Sequence, residues 1–256
     1  MRSVGFGLSF VLGVQLAVPP ALVAADLASI QRRGYLIVGV KDNLRPLGFR
    51  NTSGELVGLE IDIARRLAEV ILGDADALEL RPISNVDRLA VVIEDKVDMT
   101  IAGVTMTPSR GRVVAFSEPY YLDGIGLISC DRTITQLADL QQSRIAVLEN
   151  SSAIANIRYQ FPQAALVTVA SYQSAKAVLE QNRADAFAGD ITVLSGWIQE
   201  FPKFHLLPSF LSAEPLAIVM PKGNQYRELQ RTIDEYIRLW HETGWLEERA
   251  TYWGLP

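Results

Sequence analysis

Arginines and carboxylates placed at the ends of strands are the residues of this chain best suited to chemistry. A β-type run, Val97 to Ala102, stops at Gly103 and is followed by Val104-Thr105-Met-Thr107-Pro108-Ser-Arg110. Thr107-Pro108 can cap and start a short helix, which puts Arg110 in its first turn. An arginine fork beside helix-start N–H groups makes a receptor for a carboxylate. The Thr105 hydroxyl can accept from an ammonium or donate to a carboxylate. Farther along, Ala184 to Ala188 reads as a strand, and Asp190 stands just beyond it, where an open α/β sheet presents its ligand groups. Asp190 is equally a good N-cap for a helix beginning at Ile191. Lys41, after the first strand, and Arg88, in Ser84-Asn85-Val-Asp87-Arg88-Leu89, are two further cations. In a closed cleft such cations imply an anionic ligand, because burying them unpaired is costly. The alternative is that Arg88 pairs with Asp87, Asp42 or Glu94 and never meets a ligand.

Composition excludes several other chemistries. The chain has two histidines, His205 and His241, and one cysteine, Cys130, so no disulfide or multi-thiolate metal site can form within it. His241-Glu-Thr-Gly-Trp lacks the second histidine of a metalloprotease helix. No cofactor is implied. The formal charge is −5 with no block of Lys or Arg, which argues against nucleic acid as a partner.

The elements that must position these residues follow an α/β pattern. Tyr35 to Val40 reads as a buried strand, and Gly58 to Ile71 as a helix with Ile61, Ala64, Leu67, Ala68 and Ile71 on one face. A strand over Leu78 to Ile83, a helix over Val86 to Glu94 and a strand over Val97 to Ala102 complete a βαβαβ order. The second half repeats the alternation, with strands at 144–148, 166–170, 184–188 and 216–220 and helices at 172–181 and 191–201. A long closing helix carries Leu229, Ile233, Tyr236, Ile237 and Trp240 on one side. Turn signals at Ser117-Glu-Pro119 and Ser212-Ala-Glu-Pro215 suggest that the chain leaves one lobe, builds another and returns. Residues 1–25 read as a cleavable signal peptide: Arg2, an apolar stretch from Val4 to Val18, then small residues before Asp26. That stretch is too short and too proline-broken to span a bilayer.

Three stretches together resemble the bacterial extracellular solute-binding proteins of family 3, the polar amino-acid receptors of ABC importers. Gly58-Leu-Glu60-Ile-Asp62-Ile-Ala-Arg-Arg-Leu67-Ala68 matches their signature, although acidic residues near the positive end of a helix dipole also explain Glu60 and Asp62. The stretch Val97 to Tyr121 resembles the ligand segment and its exit into a first hinge, and Arg183-Ala-Asp185 through Asp190 resembles the family's second-lobe strand. Tyr252-Trp253-Gly254 is similar to the family's aromatic-Gly close. The departures are a lost aromatic sandwich, with Lys41-Asp42-Asn-Leu-Arg45 and Asn85 in its place, and Leu148 where some members carry a lysine.

The resemblance implies a two-lobed periplasmic-binding-protein fold with two hinge crossings, each lobe a mostly parallel sheet flanked by helices. Lobe 1 would comprise 26–121 and 215–256, and lobe 2 would comprise 122–214. It assigns ligand binding to Arg110, Asp190, Thr105, Gly103, Arg88, Lys41, Asn85, Ser151 and Ser152, with Asp190 on the α-ammonium. Ser84-Asn85-Val-Asp87-Arg88 resembles the glutamate/aspartate branch, so an acidic amino acid is expected, with glutamine or asparagine as the alternative. The partners implied are the free amino acid and an inner-membrane importer permease; the protein would be a periplasmic monomer and no enzyme. A dehydratase of cyclic acids, with Glu149 or Asp190 as general acid, and a sensor domain are the other readings of the same fold.

Overall fold

The computed structural model describes residues 26–149, 151 and 153–256. The signal peptide expected over 1–25 and Ser152 of the expected site lie outside the described residues.

The first lobe is assembled around a buried strand, as the apolar run after Gly34 requires. Helix α1 (Leu27–Arg33) leads into β1 (Leu36–Val40), which is buried at every position. A small antiparallel sheet of β2 (Asn43–Leu44), β3 (Gly48–Arg50) and β4 (Leu56–Val57) precedes the signature helix α2 (Leu59–Leu72). Gly58 starts that helix at φ 131°, and a Cβ there would stand 2.2 Å from the Leu47 carbonyl oxygen, so only glycine fits. Next come β5 (Leu78–Pro82), the single-turn helix α3 (Ala90–Ile93), β6 (Met99–Ile101) and the long β7 (Ala115–Asp123). The helix expected over Val86 to Glu94 is thus only its last turn, because Ser84 to Arg88 closes on itself. The Ser84 hydroxyl reaches Asp87, and Arg88 Nε donates to the Asn85 carbonyl.

The second lobe runs through β8 (Ile125–Ser129), β9 (Arg144–Leu148), α4 (Ala153–Gln160), β10 (Ala165–Val169), α5 (Tyr172–Glu180), β11 (Ala186–Asp190), α6 (Ile191–Glu200) and β12 (His205–Leu206). The chain then returns through β13 (Glu214–Met220) to α7 (Arg227–Glu242) and α8 (Trp245–Tyr252). Leu229, Ile233, Ile237 and Trp240 of α7 are buried against the first lobe's core, as their spacing predicted.

Each lobe is built on a five-stranded sheet, in the order β5-β1-β6-β13-β7 and β10-β9-β11-β8-β12. In both, the first three strands are parallel and the fourth runs antiparallel to its neighbours. The two-lobed α/β fold is therefore as expected, with one reversed strand interrupting the parallel pattern of each sheet. The crossings lie side by side: β7 and β13 stay paired up to Asp123 opposite Glu214. Beyond that pair, Gly124 passes so close that an added Cβ would lie 2.2 Å from the Ser212 carbonyl oxygen.

The two acidic residues of the signature have separate structural partners. Asp62 Oδ2 accepts from Arg249 Nε at 3.0 Å, Arg249 Nη2 at 2.8 Å and Trp253 Nε1 at 2.8 Å, which fastens the C-terminal aromatic segment to α2. Glu60 is fully buried and points toward β7 and the loop after β6. Placement near a helix dipole is compatible with both, but neither carboxylate is left to the dipole alone.

Candidate ligand-binding site

The loop after β6 is held against the return crossing by backbone bonds. Ala217 N donates to Val104 O at 3.1 Å and Met106 N to Pro215 O at 2.8 Å, so Thr105 is carried on the edge of β13. Gly103 takes φ +60°, a left-handed conformation that turns the chain away from β6. Thr107 accepts from Arg110 N at 3.3 Å, which begins a single 3-10 turn over Arg110–Arg112 rather than an α-helix. Arg110 Nη1 donates to Thr105 O at 2.8 Å, leaving Nε and Nη2 without a hydrogen bond to any described residue. A guanidinium held along one edge and open along the other is suited to a bidentate carboxylate.

Arg88 makes none of the three ion pairs that would have explained it away. Asp87 takes the Ser84 hydroxyl, Glu94 pairs with Lys96 and Asp42 lies 3.5 Å from Arg50. Arg88 instead donates through Nε to Asn85 O at 3.0 Å and through Nη1 to Ala102 O at 3.2 Å and Gly103 O at 2.7 Å. Burial lowers its pKa, and the neighbouring Arg110 lowers it further. Its Nη2 group has no described partner.

Lys41 is placed differently from the expectation. Its side chain is 4% exposed, its ammonium donates to Ile83 O at 2.9 Å, and it does not line the cleft. The pleat at the end of β1 turns it inward, where burial lowers its pKa.

Across the cleft, Asp190 occupies the N-cap position of α6 without capping it. Asp123 does that from the crossing strand: its Oδ1 accepts from Thr192 N at 3.2 Å and its Oδ2 from the Thr192 hydroxyl at 2.7 Å. No described residue donates to the Asp190 carboxylate. Burial is the main cause raising its pKa to about 6, with Asp123 and Glu214 adding repulsion and Arg88 opposing them. Ser151 starts α4 by accepting from Ala153 N at 3.1 Å.

These groups share a cavity of about 520 Å³ between the lobes. Asn85, Arg88, Gly103, Thr105 and Arg110 line it from the first lobe, and Ser151 and Asp190 from the second. Sequence reasoning missed Tyr172 and Glu214 as lining residues. Tyr172 follows the Ser171 cap and looks like an ordinary helix start; Glu214 sits in the Ser212-Ala-Glu-Pro215 break, which marks a crossing but not which way a side chain points. The lining as a whole places two guanidinium groups, Arg88 and Arg110, opposite three carboxylates, Glu149, Asp190 and Glu214. An opening with an unshared arginine edge on one side and an unpartnered carboxylate on the other fits a small zwitterion.

Residues 36–256 match the family described as bacterial extracellular solute-binding proteins, family 3. The chain belongs to that family. The chain is similar to a glutamine-binding protein of Geobacillus stearothermophilus, with 32% identity over 75% of this chain and 74% of that protein. It is also similar to an ABC transporter glutamine-binding protein of Bacillus subtilis, with 27% identity over 89% of this chain and 84% of the relative. Among solved structures, the solute receptor for L-cysteine of Neisseria gonorrhoeae superposes with a TM-score of 0.69 at 27% identity, over 89% of this chain and 93% of that one. The glutamate/aspartate branch suggested by the Ser84 to Arg88 segment is not specifically supported by these relatives. Among the described residues, no helix is long and apolar enough to cross a membrane.

Proposed function

We propose that this family member is the exported binding component of an ABC-type amino-acid importer, and that it holds a polar α-amino acid between its lobes. The observation that carries this reading is the opposition of Arg110 and Asp190 across one cleft, each lacking a protein partner on its open side. Arg110, with the Thr105 hydroxyl, takes the α-carboxylate, and Asp190 takes the α-ammonium. Residues 26–121 with 215–256 form one lobe and 122–214 the other, and closure of the two excludes water from both charged ends. Export by the leader over 1–25 and docking on a membrane permease belong to the same reading.

The side chain of the ligand is read by Arg88 and Asn85. An acidic side chain would rest on Arg88 Nη2 alone, because Lys41 is turned away, and it would add a charge to a cleft already holding three carboxylates. A neutral amide avoids that repulsion while still accepting from Arg88. Glutamine therefore has more support than the glutamate or aspartate first expected, and the two glutamine-binding relatives point the same way. A second reading, general-acid catalysis on a cyclic acid, draws on Asp190 keeping its proton up to about pH 6. Titration calorimetry with the twenty amino acids on the mature protein tests these readings. Saturable binding of glutamine, weakened by Arg88→Ala, is expected; prephenate turnover without amino-acid binding would replace the receptor by the enzyme.

A further inference from the structure

Glu60 has 0% exposure, yet only one of its oxygens is engaged. Oε1 accepts from Gly103 N at 2.6 Å and from the Tyr120 hydroxyl at 2.5 Å, while Oε2 has no hydrogen-bond partner. A buried carboxylate oxygen without a donor is destabilising, so the folded state tolerates it for what Oε1 holds. Gly103 is where the ligand loop turns, and its carbonyl in turn receives Arg88 Nη1 at 2.7 Å. The Gly103 residue is thus held from both ends, its N–H on Glu60 and its C=O on Arg88. Tyr120 belongs to β7, the outward crossing strand, and is itself 1% exposed. Continuous hydrogen bonds therefore run from the crossing strand through Glu60 and Gly103 to the arginine that faces the ligand.

We infer that Glu60 is a positioning residue for ligand binding: it sets the Gly103 turn and the Arg88 guanidinium relative to the crossing strand without touching the ligand. This rests on the receptor reading above. The charged and titratable groups facing Glu60 are Tyr120 from β7, Arg88 from the turn before α3 and Lys41 from the end of β1. Burial raises its pKa to about 7, while the two hydrogen bonds and the two cations pull the other way. A ligand whose side-chain oxygen accepts from Arg88, with its α-carboxylate on Arg110 beside it, weakens the field that favours the Glu60 anion. Glu60 then takes up a proton more readily in the complex, so binding tightens as pH falls through about 7. Asp190 acts with the opposite sign near pH 6, because the ligand ammonium favours its ionised form.

Titration calorimetry of the full mature protein, with L-glutamine and L-glutamate as probes from about pH 5.5 to 8.5, separates these effects. The wild type is expected to tighten about three- to tenfold between the alkaline end and about pH 6.5, a tenfold change corresponding to about one unit of pKa displacement. Glu60→Gln keeps the Oε1 acceptor without the charge, so it should lose the alkaline limb and bind at about pH 8.5 roughly as tightly as the wild type does near pH 6.5. Glu60→Ala, which releases the Gly103 turn, should weaken binding at every pH by about threefold or more. Tyr120→Phe removes one donor and should move the midpoint of that limb upward, a result that loss of packing alone would not give. If Glu60→Gln does not fold, the Tyr120→Phe midpoint decides. A Glu60→Gln protein with unchanged affinity and an intact alkaline limb, or an unmoved midpoint in Tyr120→Phe, overturns the inference while the receptor reading stands. Wild-type protein that binds neither probe nor any other of the twenty amino acids overturns the receptor reading and this inference with it.

Discussion

Asp190 reaches the cleft because another carboxylate has taken over its local duty. With Asp123 capping α6, Asp190 is left half-buried and without a described donor, and its proton stays on until about pH 6. In the unfolded chain the same group would titrate near its ordinary 3.8. Between those values the folded state keeps a proton that the unfolded state has lost, so this group's contribution to stability falls as pH rises through that window. Asp190→Asn should therefore abolish amino-acid binding while stabilising the ligand-free protein at pH 7.5 by on the order of 1–3 kcal/mol. Thermal denaturation of both proteins from pH 4.5 to 7.5 checks it; a variant no more stable than the wild type at the upper end contradicts it. Arg110→Ala should weaken every α-amino acid by about a hundredfold or more, since truncating one partner of a buried charge pair costs about 2–5 kcal/mol. Retained tight binding in calorimetry would remove Arg110 from the site. The residues gathered at the cleft were legible where a charged or capping residue stood next to a strand end, as with Thr105, Arg110 and Asp190. Lys41 turns away from the cleft, which sequence could not show because it does not say to which side the residue after a strand points. The part Glu60 plays was hidden because a first-turn acid already has a sufficient local explanation.

At the scale of elements, strand and helix alternation was readable from apolar periodicity, and the boundaries moved by one or two residues for most of the strands and helices. Two features were not readable. The helix before Lys96 shrinks to Ala90–Ile93 because side-chain bonds from Ser84 and Arg88 give the backbone another way to turn. Reversal of β8 and β13 depends on how the chain crosses between lobes, a long-range matter that local pattern does not encode. The crossing itself makes a sharp demand on sequence. Ile125 N donates to the Ser212 hydroxyl at 2.9 Å, and a Cβ on Gly124 would meet the Ser212 carbonyl oxygen at 2.2 Å. Backbone on backbone cannot yield by a rotamer change, so Gly124→Ala must splay the two crossings. A loss of about 1–3 kcal/mol in urea denaturation is expected, and a substitution without effect would show that the crossings have slack.

For the molecule as a whole, the acidic average conceals a cleft in which both signs oppose each other, and the proposed binding depends on the two lobes coming together. Helix α6 of the second lobe meets the first lobe away from the crossings. Gln199 Nε2 donates to Trp253 O at 2.8 Å, and one turn earlier a Cβ on Gly196 would stand 2.4 Å from Arg45 O. The same helix is preceded by Asp190 at its N-cap, so its seat against the Arg45 loop fixes how near the Asp190 carboxylate comes to Arg110. Gly196→Ala inserts a methyl group into that seat without altering any residue that lines the cleft. If the closed arrangement becomes tenfold less populated, the apparent dissociation constant rises about tenfold, whatever the intrinsic contacts. Gly196→Ala should therefore bind L-glutamine about tenfold more weakly, with its unfolding in urea little changed. In small-angle scattering, saturating ligand should contract the wild type, and the variant should need correspondingly more ligand for the same contraction. Equal affinity and equal contraction in the two proteins would mean that the α6 contact plays no part in closure.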